Sequence, residues 1–219
     1  MAILLKNGSI FLHVPKTGGD WVSLALDNAG LAETTCFHKH AGYERALTND
    51  RTKWSNRRWG PLPKPVPDGT FMFCFVRHPL SWLVSYWRYM LTVGCPLWGR
   101  MNSRLSWHPN AVLNELWDAD FTRFALNVVD KRPGYVSELY SLYAHPGVAV
   151  YRQEDLPFSL TQAVSDSGTA MTKDMRRAIE GTPRVNESKV ARPLVTPEAR
   201  MAIQETESHA IRRYGYGEA

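Results

Sequence analysis

Long apolar runs, paired cysteines and stretches of biased composition are all scarce in this sequence. No segment approaches the roughly 18 consecutive apolar residues that a membrane-spanning helix needs. Met1 to Leu5 is followed at once by Lys6-Asn7-Gly8, with no basic region ahead of a long apolar stretch. No export signal or membrane anchor is expected, and the chain reads as a soluble, cytoplasmic protein. Three cysteines, Cys36, Cys74 and Cys95, cannot all pair, which argues against a disulfide framework. Cys74 lies in the apolar run Phe71 to Val76 and reads as a buried, reduced thiol. Charge of one sign is also in short supply: 26 Lys and Arg against 21 Asp and Glu leave a net charge of +5. That excess favours an anionic ligand but is too small and dispersed for a nucleic-acid interface, and no nucleic-acid partner is expected. Internal repeats and low-complexity tracts are missing, so neither a solenoid nor a disordered tail is indicated.

What is present is ordinary globular composition, 44% hydrophobic and 21% charged over 219 residues. This length suits one sizeable core, and a single domain over residues 1–219 is expected. Ser9 to Val14 reads as a short buried strand, Pro15 to Gly19 as a turn that cannot continue it, and Trp21 to Asn28 as a helix ended by Gly30. A second such unit follows, with a strand at Phe71 to Val76 and a helix from Pro79 to Leu91. Two strand-to-helix units predict an α/β fold with a parallel sheet. Thr35 to Leu47 is expected to lead into a short helix, while Asn49 to Gly69, with four prolines, and Thr92 to Pro109 read as loops. Helices are predicted at Ala111 to Val129, Val136 to Tyr143 and Pro197 to Arg213, and a further core strand at Val148 to Tyr151.

The first strand-to-helix junction, His13-Val14-Pro15-Lys16-Thr17-Gly18-Gly19-Asp20-Trp21, sets a lysine and two glycines at a helix N-terminus. Free backbone N–H groups and the positive end of the helix dipole make such a junction an anion site, and glycine lets the backbone approach phosphate oxygens. The spacing Gly-x4-Gly-Lys-Ser/Thr of nucleoside-triphosphate loops is not there, since the lysine precedes the glycines. The string resembles instead the 5′-phosphosulfate loop of sulfotransferases that use 3′-phosphoadenosine 5′-phosphosulfate (PAPS), especially bacterial and carbohydrate-type members with a His-x-Pro-Lys-Thr-Gly-Gly pattern. The resemblance implies that Lys16 contacts the bridging oxygen and 5′-phosphate, that the backbone of Thr17, Gly18, Gly19 and Asp20 holds the phosphate, and that Trp21 stacks on adenine. Asp20 departs from the family, which usually has threonine there. A carboxylate near a phosphate is unfavourable unless it turns away or caps the helix.

The second junction, Val76-Arg77-His78-Pro79-Leu80-Ser81-Trp82-Leu83-Val84-Ser85-Tyr86, resembles the family's 3′-phosphate element, with Arg77 at a strand end and Ser85 on the following helix. A guanidinium can grip phosphate through two parallel N–H bonds, and a serine hydroxyl adds a neutral donor. Alone, either residue would pass for a surface ion pair or a tolerated helix serine; two anion loops at the carboxyl edge of one sheet match where open α/β folds bind ligands. Val148 to Leu156 is similar to the family's strand ending in Arg-x-Glu-Asp-Leu, in which Arg152, Glu154 and Asp155 read as structural. Pro183 to Ser188 is similar to its C-terminal Val-Asn-x-Ser segment, making Arg184, Asn186 and Ser188 nucleotide-contact candidates. Leu91 to His145 carries no resemblance. The family implies a P-loop-like three-layer fold, a central parallel sheet flanked by helices.

PAPS would serve as co-substrate, leaving 3′-phosphoadenosine 5′-phosphate, and no metal is expected. In-line sulfuryl transfer to a hydroxyl needs charge stabilisation on the leaving oxygens and a base for the acceptor proton. Lys16 meets the first need. The segment Phe37 to Glu44 resembles the family's Lys-His-Ala element and makes His40 the candidate base, with His38 and Glu44 as alternatives and Glu44 also able to orient His40. His13, on the strand, reads as a packing and orienting residue. Arg51, Lys53, Trp54, Arg57, Arg58 and Trp59 form a basic-aromatic loop that suits a sugar or anionic glycan acceptor, and equally a solvated loop. A nucleotide-dependent kinase and a catalytically silent nucleotide- or glycan-binding domain are the alternative readings. Oligomeric state is not specified by these residues.

Overall fold

In the run Met72-Phe73-Cys74-Phe75-Val76 every residue is buried, on both faces of the strand it forms. Such continuous apolar runs belong to strands covered on both sides. The computed structural model describes residues 2–36, 40, 42–43, 66–93 and 108–217. These residues form an α/β protein with a five-stranded mixed sheet flanked by helices. The chain divides into two compact units, Met1–Val76 with Ser141–Asn186, and Arg77–Tyr140 with Glu187–Ala219.

The first unit holds the sheet. Its strands are β1 (Ala2–Leu5), β2 (Ile10–Leu12), β3 (Ala32–Cys36), β4 (Met72–Val76) and β5 (Val148–Arg152), in the order β3-β1-β2-β4-β5. Here the expected parallel sheet needs correcting. β2, β4 and β5 run parallel, but β1 is antiparallel to both β2 and β3. The cause is local: only Lys6 to Ser9 separate β1 from β2, closed by Leu5 N–H to the Ser9 carbonyl at 2.8 Å with Gly8 at φ 87°. A connection this short forces a hairpin, because a parallel crossover needs a dozen or more residues. β3 also replaces the beginning of the helical approach expected from Thr35; the remainder of that stretch lies largely outside the described residues.

Period-two alternation aligns Ile3, Phe11, Phe73 and Ala149 in one row of the sheet, with Leu5, Phe75 and Tyr151 on the same face. Against that face pack α1 (Gly19–Asn28), α5 (Leu156–Asp166) and α6 (Lys173–Glu180), through Val22, Leu26, Leu160, Val164 and Ile179. Cys74 points to the other face and is buried.

The second unit is helical: α2 (Pro79–Val93), a 3-10 turn at Pro109–Asn114, α3 (Phe121–Lys131), α4 (Tyr135–Ser141, whose last residue falls in the first unit), α7 (Pro197–Thr206) and α8 (Ser208–Arg213). Its core is aromatic. Trp82 stacks on Tyr86 at 5.5 Å, and the buried Tyr86 and Tyr135 hydroxyls donate to the Asn110 carbonyl and Asn110 Oδ1. The single helix expected over Ala111 to Val129 is interrupted, because the Asp120 side chain accepts from Arg123 N–H and starts a new helix at Phe121. The helix expected over Pro197 to Arg213 breaks at Glu207, whose carboxylate reaches sideways to the start of α4. Among the described residues, no helix is long and apolar enough to cross a membrane.

Candidate functional site

Every helix start leaves backbone N–H groups without intrahelical partners. At α1 the N-cap is Gly18, in the left-handed region at φ 81°, and it supplies no side-chain cap. Two residues earlier Lys16 also sits in that region at φ 65°. Lysine there is strained, and Lys16 and Asn186 are the only non-glycine residues at positive φ among those described. Both are nucleotide-contact candidates. Thr17 is buried, its hydroxyl donating back to the Val14 carbonyl at 3.0 Å.

Gly19 is glycine for a reason that phosphate contact does not supply: a Cβ there would lie 2.2 Å from Cδ2 of the His13 ring. His13 is buried at the end of β2, a packing residue as expected. Its carbonyl faces Nδ1 of His40 at 3.3 Å, and the two rings meet edge to face at 5.0 Å. A carbonyl can only accept, so this contact requires the hydrogen on Nδ1 and leaves the neutral ring's lone pair on Nε2. The backbone around His40 is anchored from afar. Tyr143 donates to the His40 carbonyl, Tyr43 N–H donates to the Leu142 carbonyl, and the Tyr43 ring stacks on His145 at 4.0 Å. His38, Lys39, Glu44 and the basic-aromatic residues Arg51, Lys53, Trp54, Arg57, Arg58 and Trp59 lie outside the described residues, as does Cys95.

The Val-Asn-x-Ser segment meets α1. Asn186 Nδ2 donates to the Asp20 carboxylate at 2.8 Å, the Trp21 indole N–H to the Thr182 carbonyl at 3.2 Å, and Asn28 Nδ2 to the Thr182 hydroxyl at 3.1 Å. Asp20 therefore turns its carboxylate to Asn186. Trp21 is a core residue, only 8% exposed, packed with Leu26 and Leu160 in the sheet's apolar cluster. Arg184 is exposed beside Val185, which packs on the same core. Leu156, closing the Arg-x-Glu-Asp-Leu string, packs so near Gly18 that a Cβ there would be 2.5 Å from its Cδ1. Arg152, Glu154 and Asp155 are exposed.

β2, β4 and β5 end at one edge of the sheet; the runs beginning at His13 and Gln153 leave from it, and Arg77 is the residue after β4. In the helical unit Arg77 is half-buried, and the His78 ring accepts from Leu80 N–H at 3.2 Å to cap α2 ahead of Pro79. Ser85 is half-buried on α2. Arg88, one turn further, donates Nε to the Val190 carbonyl at 2.7 Å and Nη2 to the Ser188 carbonyl at 2.8 Å. The Ser188 hydroxyl in turn accepts from Val190 N–H at 3.2 Å. Compared with protein-family models, curated proteins and solved structures, the chain matches none.

Two contacts beside the candidate residues escaped the sequence: those of Arg88 and of the His13 carbonyl. Nothing in the string around Arg88 marks it, since its partners lie about a hundred residues away. Among the described residues no group of three His, Cys, Asp or Glu is placed to hold a metal ion.

Proposed function

We propose that the chain is a PAPS-dependent sulfotransferase of P-loop-like fold, transferring a sulfuryl group to a hydroxyl, with a sugar or anionic glycan as the favoured acceptor class. The observation that carries the reading is the α1 N-terminus: a loop of the sulfotransferase pattern that spends backbone strain on Lys16 and leaves its helix without a side-chain cap. Strain of this kind gathers at ligand sites, and uncapped N–H groups suit a 5′-phosphosulfate.

In this reading His40 Nε2 takes the proton of the acceptor hydroxyl as the acceptor oxygen bonds to sulfur. The bond from sulfur to the bridging oxygen breaks, and the charge gathering on the departing 5′-phosphate is met by Lys16 and the backbone of Thr17 to Asp20. Arg77 and Ser85 take the 3′-phosphate, Asn186, Ser188 and Arg184 the nucleotide's remaining polar edge. Trp21, held in the core, offers adenine at most the small part of its ring that is exposed.

Calorimetry with 3′-phosphoadenosine 5′-phosphate and adenosine 5′-phosphate tests it. The first should bind much more tightly, and Arg77→Ala should remove about 1.5–3 kcal/mol of that binding. Equal affinities, or preference for ATP, would return the chain to the kinase reading. Desulfation of PAPS across a panel of hydroxyl acceptors separates an enzyme from a silent binding domain.

A further inference from the structure

Arg77 is held by its backbone as well as by whatever its side chain meets. Tyr140, on α4 and fully buried, sets one hydroxyl against both polar backbone groups of Arg77. It donates to the Arg77 carbonyl at 2.6 Å and accepts from the Arg77 N–H at 3.0 Å. A phenol has one hydrogen to give and lone pairs to receive, so a single oxygen can bind both ends of one residue. That grip restrains φ and ψ at Arg77, and with them the direction in which its side chain leaves the backbone. Phenylalanine would fill the same space and could do neither.

The clamp has its own support. The Tyr140 ring meets Tyr214 edge to face at 5.8 Å. The first turn of α4 is held by Glu207, which accepts from Val136 N–H, Ser137 N–H and the Ser137 hydroxyl at 2.7–2.8 Å. On the other side of Arg77, the His78 ring that caps α2 meets Tyr216 at 5.3 Å. Arg77 thus sits between a fixed tyrosine and a fixed helix start.

We infer that Tyr140 is a positioning residue that aims Arg77 at the 3′-phosphate and so sets the selectivity for 3′-phosphorylated adenine nucleotides. This rests on the sulfotransferase reading. An arginine recognises phosphate through the geometry of its fork, and losing the aim should cost the bidentate contact while leaving contacts to the rest of the nucleotide intact.

Titration of Tyr140→Phe with 3′-phosphoadenosine 5′-phosphate and with adenosine 5′-phosphate tests the inference. Affinity for the first should fall about tenfold, the size of one hydrogen bond to a charged group, with affinity for the second unchanged. The KM for PAPS should rise while kcat at saturating PAPS holds. Arg77→Ala is measured beside it, and adding Tyr140→Phe to Arg77→Ala should bring no further loss, since the two act through one contact. Arg77→Ala that keeps the wild-type preference for the 3′-phosphate would overturn the nucleotide reading and this inference with it. An Arg77→Ala that abolishes the preference, beside a Tyr140→Phe that weakens both nucleotides equally or neither, would overturn the positioning role alone.

Discussion

The ring of His13 occupies the space that a side chain at position 19 would need: a Cβ on Gly19 would stand 2.2 Å from its Cδ2 and 2.3 Å from its Nε2. This contact fixes the start of α1 against the end of β2, and the same histidine offers its carbonyl to His40.

Gly19→Ala should therefore destabilise the protein by about 1–3 kcal/mol, the range for overpacking a filled interior. His13→Ala makes room for the new methyl group, so the double variant should be more stable than the two single losses added together. Chemical denaturation of the four proteins measures this, and strict additivity would show that the ring and the glycine do not meet.

At Lys16 the side chain and the backbone can be separated. Lys16→Ala and Lys16→Gly both remove the ammonium and, on the proposed sulfotransferase function, should abolish turnover alike. Only glycine adopts φ 65° without strain, so the glycine variant should be more stable than the alanine variant by about 1 kcal/mol. Equal stabilities would mean that the left-handed turn relaxes in solution.

On the proposed sulfotransferase function, His40→Ala should lower kcat by roughly 10²–10⁴ while leaving 3′-phosphoadenosine 5′-phosphate affinity near wild type, because a general base acts only as the proton moves. A folded variant that keeps kcat at saturating acceptor would pass the role to His38 or Glu44.

Burial raises the Glu207 carboxyl above its ordinary 4.5, against three hydrogen bonds from Val136 and Ser137 that pull the other way. A folded-state pKa above the unfolded one means that the native protein holds this proton more tightly. The titration therefore adds stability below pH 4.5 that is withdrawn as pH rises through the folded value. Glu207→Gln removes the titration, so wild-type stability minus that of the variant should fall with rising pH. Urea denaturation at several values from about pH 4 to pH 7 follows it; a difference that grows instead would put the hydrogen bonds above the burial.

The elements that could be read from sequence are those whose cause is local. Met72 to Val76 is apolar throughout, Pro79 stands at the first turn of its helix, and Lys16 to Gly19 carry a turn that no strand can continue. Elements set by distant partners could not be read. Ala32 to Cys36 is a strand because β1 offers an edge to it, and nothing in Ala-Glu-Thr-Thr-Cys demands the pairing. The helices at Leu156–Asp166 and Lys173–Glu180 went unpredicted beside the Arg-x-Glu-Asp-Leu string, and the break at Glu207 follows from a carboxylate bound to residues seventy positions earlier. At the site the same division holds. Gly18 and Gly19 announced a tight loop, but the reason for Gly19 lies in the His13 ring, and Asp20 found its partner only in Asn186.

β4 takes one neighbour, β2, from chain made before it, and the other, β5, from residues that follow it by more than seventy positions. On a ribosome, the growing polypeptide must therefore carry an apolar strand with one bare edge until Val148 to Arg152 has emerged. Unpaired edges of this kind recruit strands from other chains. Premature termination before Val148 should for that reason yield aggregates and no shortened soluble protein, and a chaperone that engages nascent chains has its natural target in Phe73 and Phe75.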